Sequence, residues 1–229
     1  MREIVFDTET TGLDPHDGHR VVEIGCVEIV NLIPTGQTFH VYINPDRDMP
    51  EEAFRVHGLS ADFLRTHPRF AEVVDGLLAF VGDEARLVAH NAGFDFAFLN
   101  AELKRAGRPL LMQERIVDTL SLARRRHPGA SNRLDDLCLR YRIDNSRRTK
   151  HGALLDAELL AEVYAELCGG RQASLGLLLD GQAIVVAGAA AARVRPAPLP
   201  PRVTEAELAA HAAFLATFGA PPLWQDFAG

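Results

Sequence analysis

Five residues of this 229-residue chain have types and spacings that could do chemistry together. Asp7 and Glu9 form a DxE pair directly after the apolar run Ile4-Val5-Phe6. On an extended backbone, residues two apart point to the same side, so the two carboxylates stand side by side. Like charges that close repel, and a divalent cation between them removes the repulsion. DxE pairs are common on protein surfaces, but the run before this one sets it at the edge of a core. Asp95 lies between Phe94 and Phe96 at a helix start, within His90-Asn91-Ala92-Gly93-Phe94-Asp95-Phe96-Ala97-Phe98-Leu99. A carboxylate in so apolar a window needs a partner. The helix N-terminus supplies some compensation and a metal supplies more, while a plain capping role also fits. His151 and Asp156 form an H-x4-D pair. Five residues span about 1.4 helical turns, so the two are expected to face different ways, one on a metal and the other on a water beside it. A single His before a helix also serves as a cap or a surface residue.

Taken together, the five are more specific than any pair. Oxygen ligands point to hard cations such as Mg²⁺ or Mn²⁺ rather than zinc. Clustered carboxylates with one nearby His suit phosphodiester hydrolysis by two metals, roughly 3.5–4 Å apart, flanking the scissile phosphate. A neutral imidazole can take the proton of the attacking water. An acidic site attracts a polyanion only with its metals bound, so a chelator is expected to abolish activity.

The elements that must position these residues can be read from the hydrophobic pattern. Glu3 to Phe6 reads as a buried strand that ends at Asp7 and opens into a polar turn, Thr8 to Gly12. Val21 to Val30 and Phe39 to Ile43 read as two more strands, and short connections make the three an antiparallel meander. After Pro50 the texture is helical, with Phe70, Val73, Val74, Leu77, Leu78 and Val81 at helical spacing. Short strands are expected at Leu87 to Ala89 and at Ile116-Val117. Helices are expected at about Phe94 to Ala106, Thr119 to Arg126, Arg133 to Tyr141 and Ala153 to Cys168, the last stopped by Gly169-Gly170. The expected fold is α/β, one mixed sheet flanked by helices.

Composition sets the outer limits. Hydrophobic residues make up 47% and charged residues 24%, which is ordinary globular usage and excludes wholesale disorder. Cys26, Cys138 and Cys168 are too few for a disulfide scaffold, and none has CxxC spacing for a thiolate zinc site. The N-terminus reaches a carboxylate too soon for a signal peptide, and no apolar run is long enough to span a membrane, so a cytoplasmic protein is expected. The net charge of −7 argues against tight autonomous grip on nucleic acid. It leaves room for an enzyme that works through metals or is held on its substrate by a partner. Basic residues concentrate in one window: Arg124, Arg125, Arg126, Arg133, Arg140, Arg142, Arg147, Arg148 and Lys150 against Asp135, Asp136 and Asp144. A solvated helical face and a phosphate-facing patch both fit it.

Beyond Gly170 the composition changes. Residues 182–203 read as a partly polyproline-like linker. Thr204 and Glu207 have capping-box spacing, and Leu208, His211, Phe214, Leu215 and Phe218 follow on one face of a new helix. A single amphipathic helix after a linker needs a surface to cover its stripe, either a partner's or its own domain's.

Three segments carry a family resemblance: Phe6-Asp7-Thr8-Glu9-Thr10-Thr11-Gly12, the segment from His90 to Asp95, and His151-Gly152-Ala153-Leu154-Leu155-Asp156. They resemble the three exonuclease motifs of the DEDD superfamily, and the His five before the last Asp marks its DEDDh branch. The resemblance implies a ribonuclease H-like fold and removal of nucleotides from 3′ ends. Within the branch the chain resembles, almost end to end, the proofreading (epsilon) subunits of bacterial DNA polymerase III. By that resemblance Asp7, Glu9 and Asp156 ligate two divalent cations, Asp95 completes the carboxylate set and His151 is the general base. Asp7, Thr8, Glu9, Thr10, Glu52, His57 and Asp156 meet the terminal nucleotide. Gln172-Ala173-Ser174-Leu175-Gly176-Leu177 is similar to a sliding-clamp motif, with Gln172, Ser174, Leu175 and Leu177 as its contacts. The tail, through Leu208, His211, Phe214, Leu215 and Trp224, resembles the segment that binds the polymerase (alpha) subunit. The implied organisation is a catalytic domain over 1–170, a clamp segment over 171–181, a linker over 182–203 and a polymerase-binding tail over 204–229. A frayed or single-stranded DNA 3′ end is the implied substrate, and a small additional subunit can join the assembly. Arg171 before Gln172, Leu177 in place of an aromatic, the Ala/Pro-rich linker and the extension past Trp224 depart from the family pattern. Two other readings share the same catalytic residues or tail: an exonuclease trimming RNA 3′ ends, and a subunit that mainly bridges polymerase and clamp.

Overall fold

The computed structural model describes residues 1–146, 148, 150–169 and 203–218. The sheet is built from β1 (Arg2–Thr10), β2 (Val21–Val30), β3 (Ile33–Tyr42), β4 (Arg86–Ala89) and β5 (Ile116–Asp118), in the spatial order β3-β2-β1-β4-β5. The first three strands form the expected antiparallel meander, and β4 and β5 add to β1 in parallel. Helices α1 (Glu51–His57), α2 (Ala61–Leu64), α3 (Phe70–Val81) and α4 (Gly93–Arg105) precede β5, and α5 (Thr119–Arg126), α6 (Leu134–Tyr141) and α7 (Ala153–Leu167) follow it.

Both faces of the sheet are covered at β1, which is why that strand reads as an unbroken apolar run rather than an alternating one. Ile4 and Phe6 face a core shared with Phe70, Val74 and Leu77 of α3 and with Phe98, Leu99 and Leu103 of α4. Val5, Val27 and Val88 face Ala157, Leu160, Ala161 and Tyr164 of α7. On its outer side α7 packs through Leu159, Val163 and Leu167 against Ala123 of α5 and Leu137 and Cys138 of α6. Helix α7 is thus central, and the Tyr164 hydroxyl ties it to β1 by donating to Glu3 Oε1 at 2.9 Å.

Three boundaries differ from the sequence reading. Strand β1 does not end at Asp7: it pairs with β2 through Glu9↔Glu23, so the DxE pair lies within the strand and not at its exit. Strand β3 begins six residues before Phe39, because Ile33 and Pro34 pair with Val30 and Ile29 on the sheet's edge, where a missing N–H is tolerated. The segment after Pro50 resolves into the short helices α1 and α2, too brief to leave a periodic signal.

The chain divides into two compact units, and the second holds the helix α8 (Glu205–Leu215). Its start is as expected: Thr204 Oγ1 accepts from Glu207 N–H, and Thr204 N–H donates to Glu207 Oε2 at 2.7 Å. The helix ends at Leu215, so Phe218 lies beyond it and meets Phe214 edge-on instead of extending a stripe. The cysteines Cys26, Cys138 and Cys168 are free. No helix among the described residues is long and apolar enough to cross a membrane.

Candidate active site

The five residues singled out by type and spacing converge at the carboxyl end of β1. This is where a parallel strand set opens its crevice. Odd positions of β1 face α7 and even positions face α4, as the packing of Val5 and Phe6 fixes. Asp7 and Glu9 therefore sit on the α7 side, and Asp156, in the first turn of α7, comes to meet them. Thr8 turns the other way. Its N–H and its hydroxyl both donate to Asp95 Oδ1, at 3.0 and 2.7 Å, so the strand itself fixes the third carboxylate. Asp95 is buried in the first turn of α4 and is held across to β1, which makes it a tertiary partner and not a helix cap. The turn before α4 is anchored by Asp118 Oδ1, which accepts from the N–H groups of Asn91 and Ala92, and Asn91 adopts a left-handed backbone there.

Packing four acids into one buried place has an electrostatic signature. Burial, then the charges of Asp95, Glu9 and Asp156, hold the Asp7 carboxyl well above its usual range. Burial and neighbouring Glu23 push Glu9 up to about 8, and burial pushes Asp95 up to about 7 against the hydrogen bonds from Thr8. Of these four acids Asp156 alone shifts down: burial opposes its charge, but the neighbouring His151 and Arg148 outweigh that. Such a cluster fits positive charge. Glu9, His151 and Asp156 each offer a ligand atom, and these atoms lie within 4.8 Å of one another. The donor set of carboxylates with one imidazole fits hard divalent cations.

His151 and Asp156 do not face apart as helical spacing suggests. The helix begins at Ala153, so His151 lies before it, joined through the extended Gly152, with Nδ1 3.3 Å from Asp156 Oδ2. Its ring is 47% exposed at the rim of the site. Arg148, read in the sequence as one of a basic window and as part of the family-like run Arg148-Thr149-Lys150-His151-Gly152 but given no role, reaches into the site. Its Nε and Nη2 donate to Asp156 Oδ1 and Oδ2 at 2.5 and 2.6 Å, and its Nη1 donates to Asp135 Oδ1 at 2.6 Å. Its Nη2 also lies 2.7 Å from His151 Nδ1.

Two concavities flank the carboxylates. A cleft of about 730 Å³ is lined by Asp7, Asp156 and His151 on one side and by Asn91, Arg124 and Arg133 on the other. A second, of about 540 Å³, runs from Thr8 to Leu13 and is closed by Glu52, His57 and Phe94. His57 is buried at the end of α1. Its Nδ1 accepts from Leu59 N–H at 3.0 Å, and its Nε2 has no hydrogen-bond partner among the described residues. Thr10 Oγ1 donates to Gly12 O at 2.6 Å. Glu52, His57, Thr8 and Thr10 are thus gathered in one pocket beside the acids. The basic window does not act as one patch. Arg124 and Arg133 are exposed and line the cleft, Arg126 and Arg140 donate to the carbonyls of Leu167 and Ser131, and Arg148 is internal.

Gly25 is a positioning residue that no motif signals. It lies opposite Asp7 in the β2 register, and a Cβ there would fall 2.2 Å from Leu154 N. The bare backbone lets the first turn of α7, with Asp156, settle directly on the sheet. Gln172, Ser174, Leu175, Leu177 and Trp224, with the segment expected to bind a clamp and most of the expected linker, lie outside the described residues. Leu208, His211 and Phe214 are exposed on α8 and Leu215 is half-buried.

Residues 4–164 match the exonuclease (RNase T) family model. The DNA polymerase III subunit epsilon of Rickettsia felis is 54% identical over 181 residues, covering 78% of this chain and 79% of that protein. The subunit of the same name from Escherichia coli is 47% identical over 188 residues, covering 79% and 76%. Among solved structures, the nuclease domain of 3′hExo, a DEDDh family member bound to rAMP, superposes with a TM-score of 0.63 at 16% identity, covering 73% of this chain and 91% of that one. The last likeness is one of fold, and it agrees with the ribonuclease H-like architecture expected from the motifs.

Proposed function

This chain belongs to the exonuclease family, and within it to the DNA polymerase III epsilon subunits; from that premise we propose that it hydrolyses mismatched 3′-terminal nucleotides with two divalent cations, Mg²⁺ or Mn²⁺, and bridges polymerase and sliding clamp. The observation that carries the catalytic part is the convergence of Asp7, Glu9, Asp95 and Asp156 from β1, α4 and α7 onto one spot with His151 at its rim.

Asp7, Glu9 and Asp156 hold the cations, and Asp95 completes the negative set from its seat on Thr8. The cations, when bound, activate water and offset the charge that builds on the scissile phosphate and leaving oxygen. His151 takes the proton of the attacking water at Nε2, since its Nδ1 is turned to Asp156. The terminal nucleotide enters the pocket of Thr8, Thr10, Glu52 and His57. Phe94 offers a ring for base stacking there, and the buried Nε2 of His57 offers an unpaired polar atom. A mismatched end unpairs at lower cost than a matched one, which favours its delivery to the site.

The bridging part rests on sequence pattern: Gln172 to Leu177 for the clamp, and the α8 segment with Trp224 for the polymerase. Tethering raises the local concentration of the 3′ end, so an acidic enzyme need not grip DNA by itself. Purified protein with Mg²⁺ is to be given matched DNA duplex, mismatched DNA duplex and an RNA oligomer, with Asp7→Ala as control. Faster removal of the mismatched DNA end, absent in the variant, is the expected result. Preference for RNA would overturn the substrate assignment.

A further inference from the structure

Arg148 reaches into the site but has no role in the three exonuclease motifs or in the proposed chemistry. Its side chain is only 7% exposed, and its three guanidinium nitrogens engage three different groups. Two of them form a planar fork on both oxygens of Asp156, at 2.5 and 2.6 Å. The third is pinned by Asp135, which stands outside the acid cluster and is 47% exposed. The guanidinium thus takes up both oxygens of a carboxylate that the proposed chemistry needs for a cation.

Four acids in one buried place demand counter-charge, and Arg148 lowers the cost for Asp7 and Glu9 as well as for Asp156. A divalent cation seated on Asp156 needs at least one of the oxygens that the fork now occupies. The fork takes the lone pairs that face Arg148, and a divalent cation on the same carboxylate would stand beside the guanidinium's own charge, so the two compete for Asp156. The imidazole is engaged in the same way. An arginine N–H can only donate, so at 2.7 Å from His151 Nδ1 it meets the ring's lone pair, and the ring proton then sits on Nε2. A ring so arranged has no free lone pair for a water proton. With the guanidinium gone, Asp156 Oδ2 at 3.3 Å is placed to accept an N–H from Nδ1, which leaves the Nε2 lone pair open.

Resting on the reading that this cluster binds divalent cations, we propose that Arg148 is a positioning residue that serves as the resting cation of the site: its guanidinium occupies Asp156 and His151 until divalent metal displaces it. Displacement frees the carboxylate and the base in one movement. It also couples metal binding to the readiness of His151, so that the imidazole becomes competent only when the cations are present.

The test is nuclear magnetic resonance on the full chain, ¹⁵N-labelled, titrated with the diamagnetic ion Mg²⁺. The Nε–H signal of Arg148, assigned with Arg148→Lys, is expected at a position typical of a charge-paired, protected group. It should leave that position on addition of Mg²⁺, with the same midpoint as the shifts of the Thr8 to Thr10 amides, which report metal arrival independently. The His151 ring nitrogens should exchange their tautomer signature over the same range. Arg148→Lys keeps the charge but loses the fork, and should bind Mg²⁺ roughly tenfold more tightly than the parent, the order of one charged hydrogen-bonded contact. Amide shifts at Thr8 to Thr10 with an unmoved Arg148 signal would overturn the proposal and leave the metal reading intact. No amide shifts at all would overturn both. Unchanged Mg²⁺ affinity in Arg148→Lys would make the arginine a fixed strut.

Discussion

At the scale of single residues, the candidate site is a group of acids kept under electrostatic stress. Asp7, Glu9 and Asp95 all carry pKa values above their unfolded ones, with Glu9 at about 8 and Asp95 at about 7. Folding therefore favours their protonated forms. The stability they contribute is fully present below the ordinary carboxylate range and is lost as pH rises through 7 to 8. Asp156 runs the other way, since its lowered pKa gives stability above the ordinary range that is lost on acidification. Metal-free protein is accordingly expected to melt at a lower temperature at pH 9 than at pH 6, and Mg²⁺ should recover most of the difference. Calorimetry across that range with and without chelator checks it, and a flat metal-free profile would contradict it. Asp7→Asn removes one repelling charge at nearly constant volume. Its kcat should fall on the order of 10³-fold or more. Its metal-free Tm should rise, by ~2–4 °C for each kcal/mol of repulsion relieved. A variant that loses both activity and stability would mean that Asp7 is a structural carboxylate.

At the scale of elements, the decisive contact is the approach of α7 to the sheet. Asp7 and Asp156 meet because the first turn of α7 rests on Gly25, opposite Asp7 in the β2 register. Gly25→Ala would drive a Cβ into the backbone of Ala153 and Leu154, which cannot move aside as a flexible side chain could. A cost of about 1–3 kcal/mol is expected from overpacking, read by denaturant unfolding. Activity should fall further than stability alone explains, because the displaced turn carries Asp156. Full activity in a folded Gly25→Ala protein would show that the helix position is not critical. Most elements were legible in the sequence: β2 and α5 match their expected residues, and β4, β5, α3, α4, α6 and α7 differ by a residue or two at their ends. The misses have local causes. Strand β1 runs on through Thr8, Glu9 and Thr10 because backbone pairing with β2 outweighs their weak apolar pattern. Helices α1 and α2 are too short for periodicity to declare them.

At the scale of the whole molecule, a chain of net charge −7 places two exposed cations, Arg124 and Arg133, on the cleft that leads to the acids. Removing the metals should leave the polyanion facing bare carboxylates, so a chelator is expected to abolish hydrolysis and added Mg²⁺ or Mn²⁺ to restore it. Activity that survives exhaustive chelation would refute the metal reading. The five candidate catalytic residues all belong to the first unit. A chain ending at residue 181 is therefore expected to cleave single-stranded DNA as the full chain does, while losing its association with the polymerase subunit. Co-purification with that subunit after the truncation would sink the assignment of the tail.

The sequence by itself determined which residues could do the chemistry and which family they belong to. Side-chain type, spacing along the chain and hydrophobic period are local properties, and Asp7, Glu9, Asp95, His151 and Asp156 all declare themselves by them. It also determined the capped start of α8, since Thr204 and Glu207 need nothing beyond their own helix turn. Only the tertiary structure decided how these residues meet. The contact of His151 with Asp156, against helical spacing, arises because His151 lies before α7 begins. The seat of Asp95 on Thr8 joins residues 87 apart, and the Gly25 contact joins β2 to α7. Arg148, one basic residue among nine and part of a family-like run, had no readable role until folding set it against two carboxylates and an imidazole. Such contacts depend on distance in space, and no pattern along the chain records them.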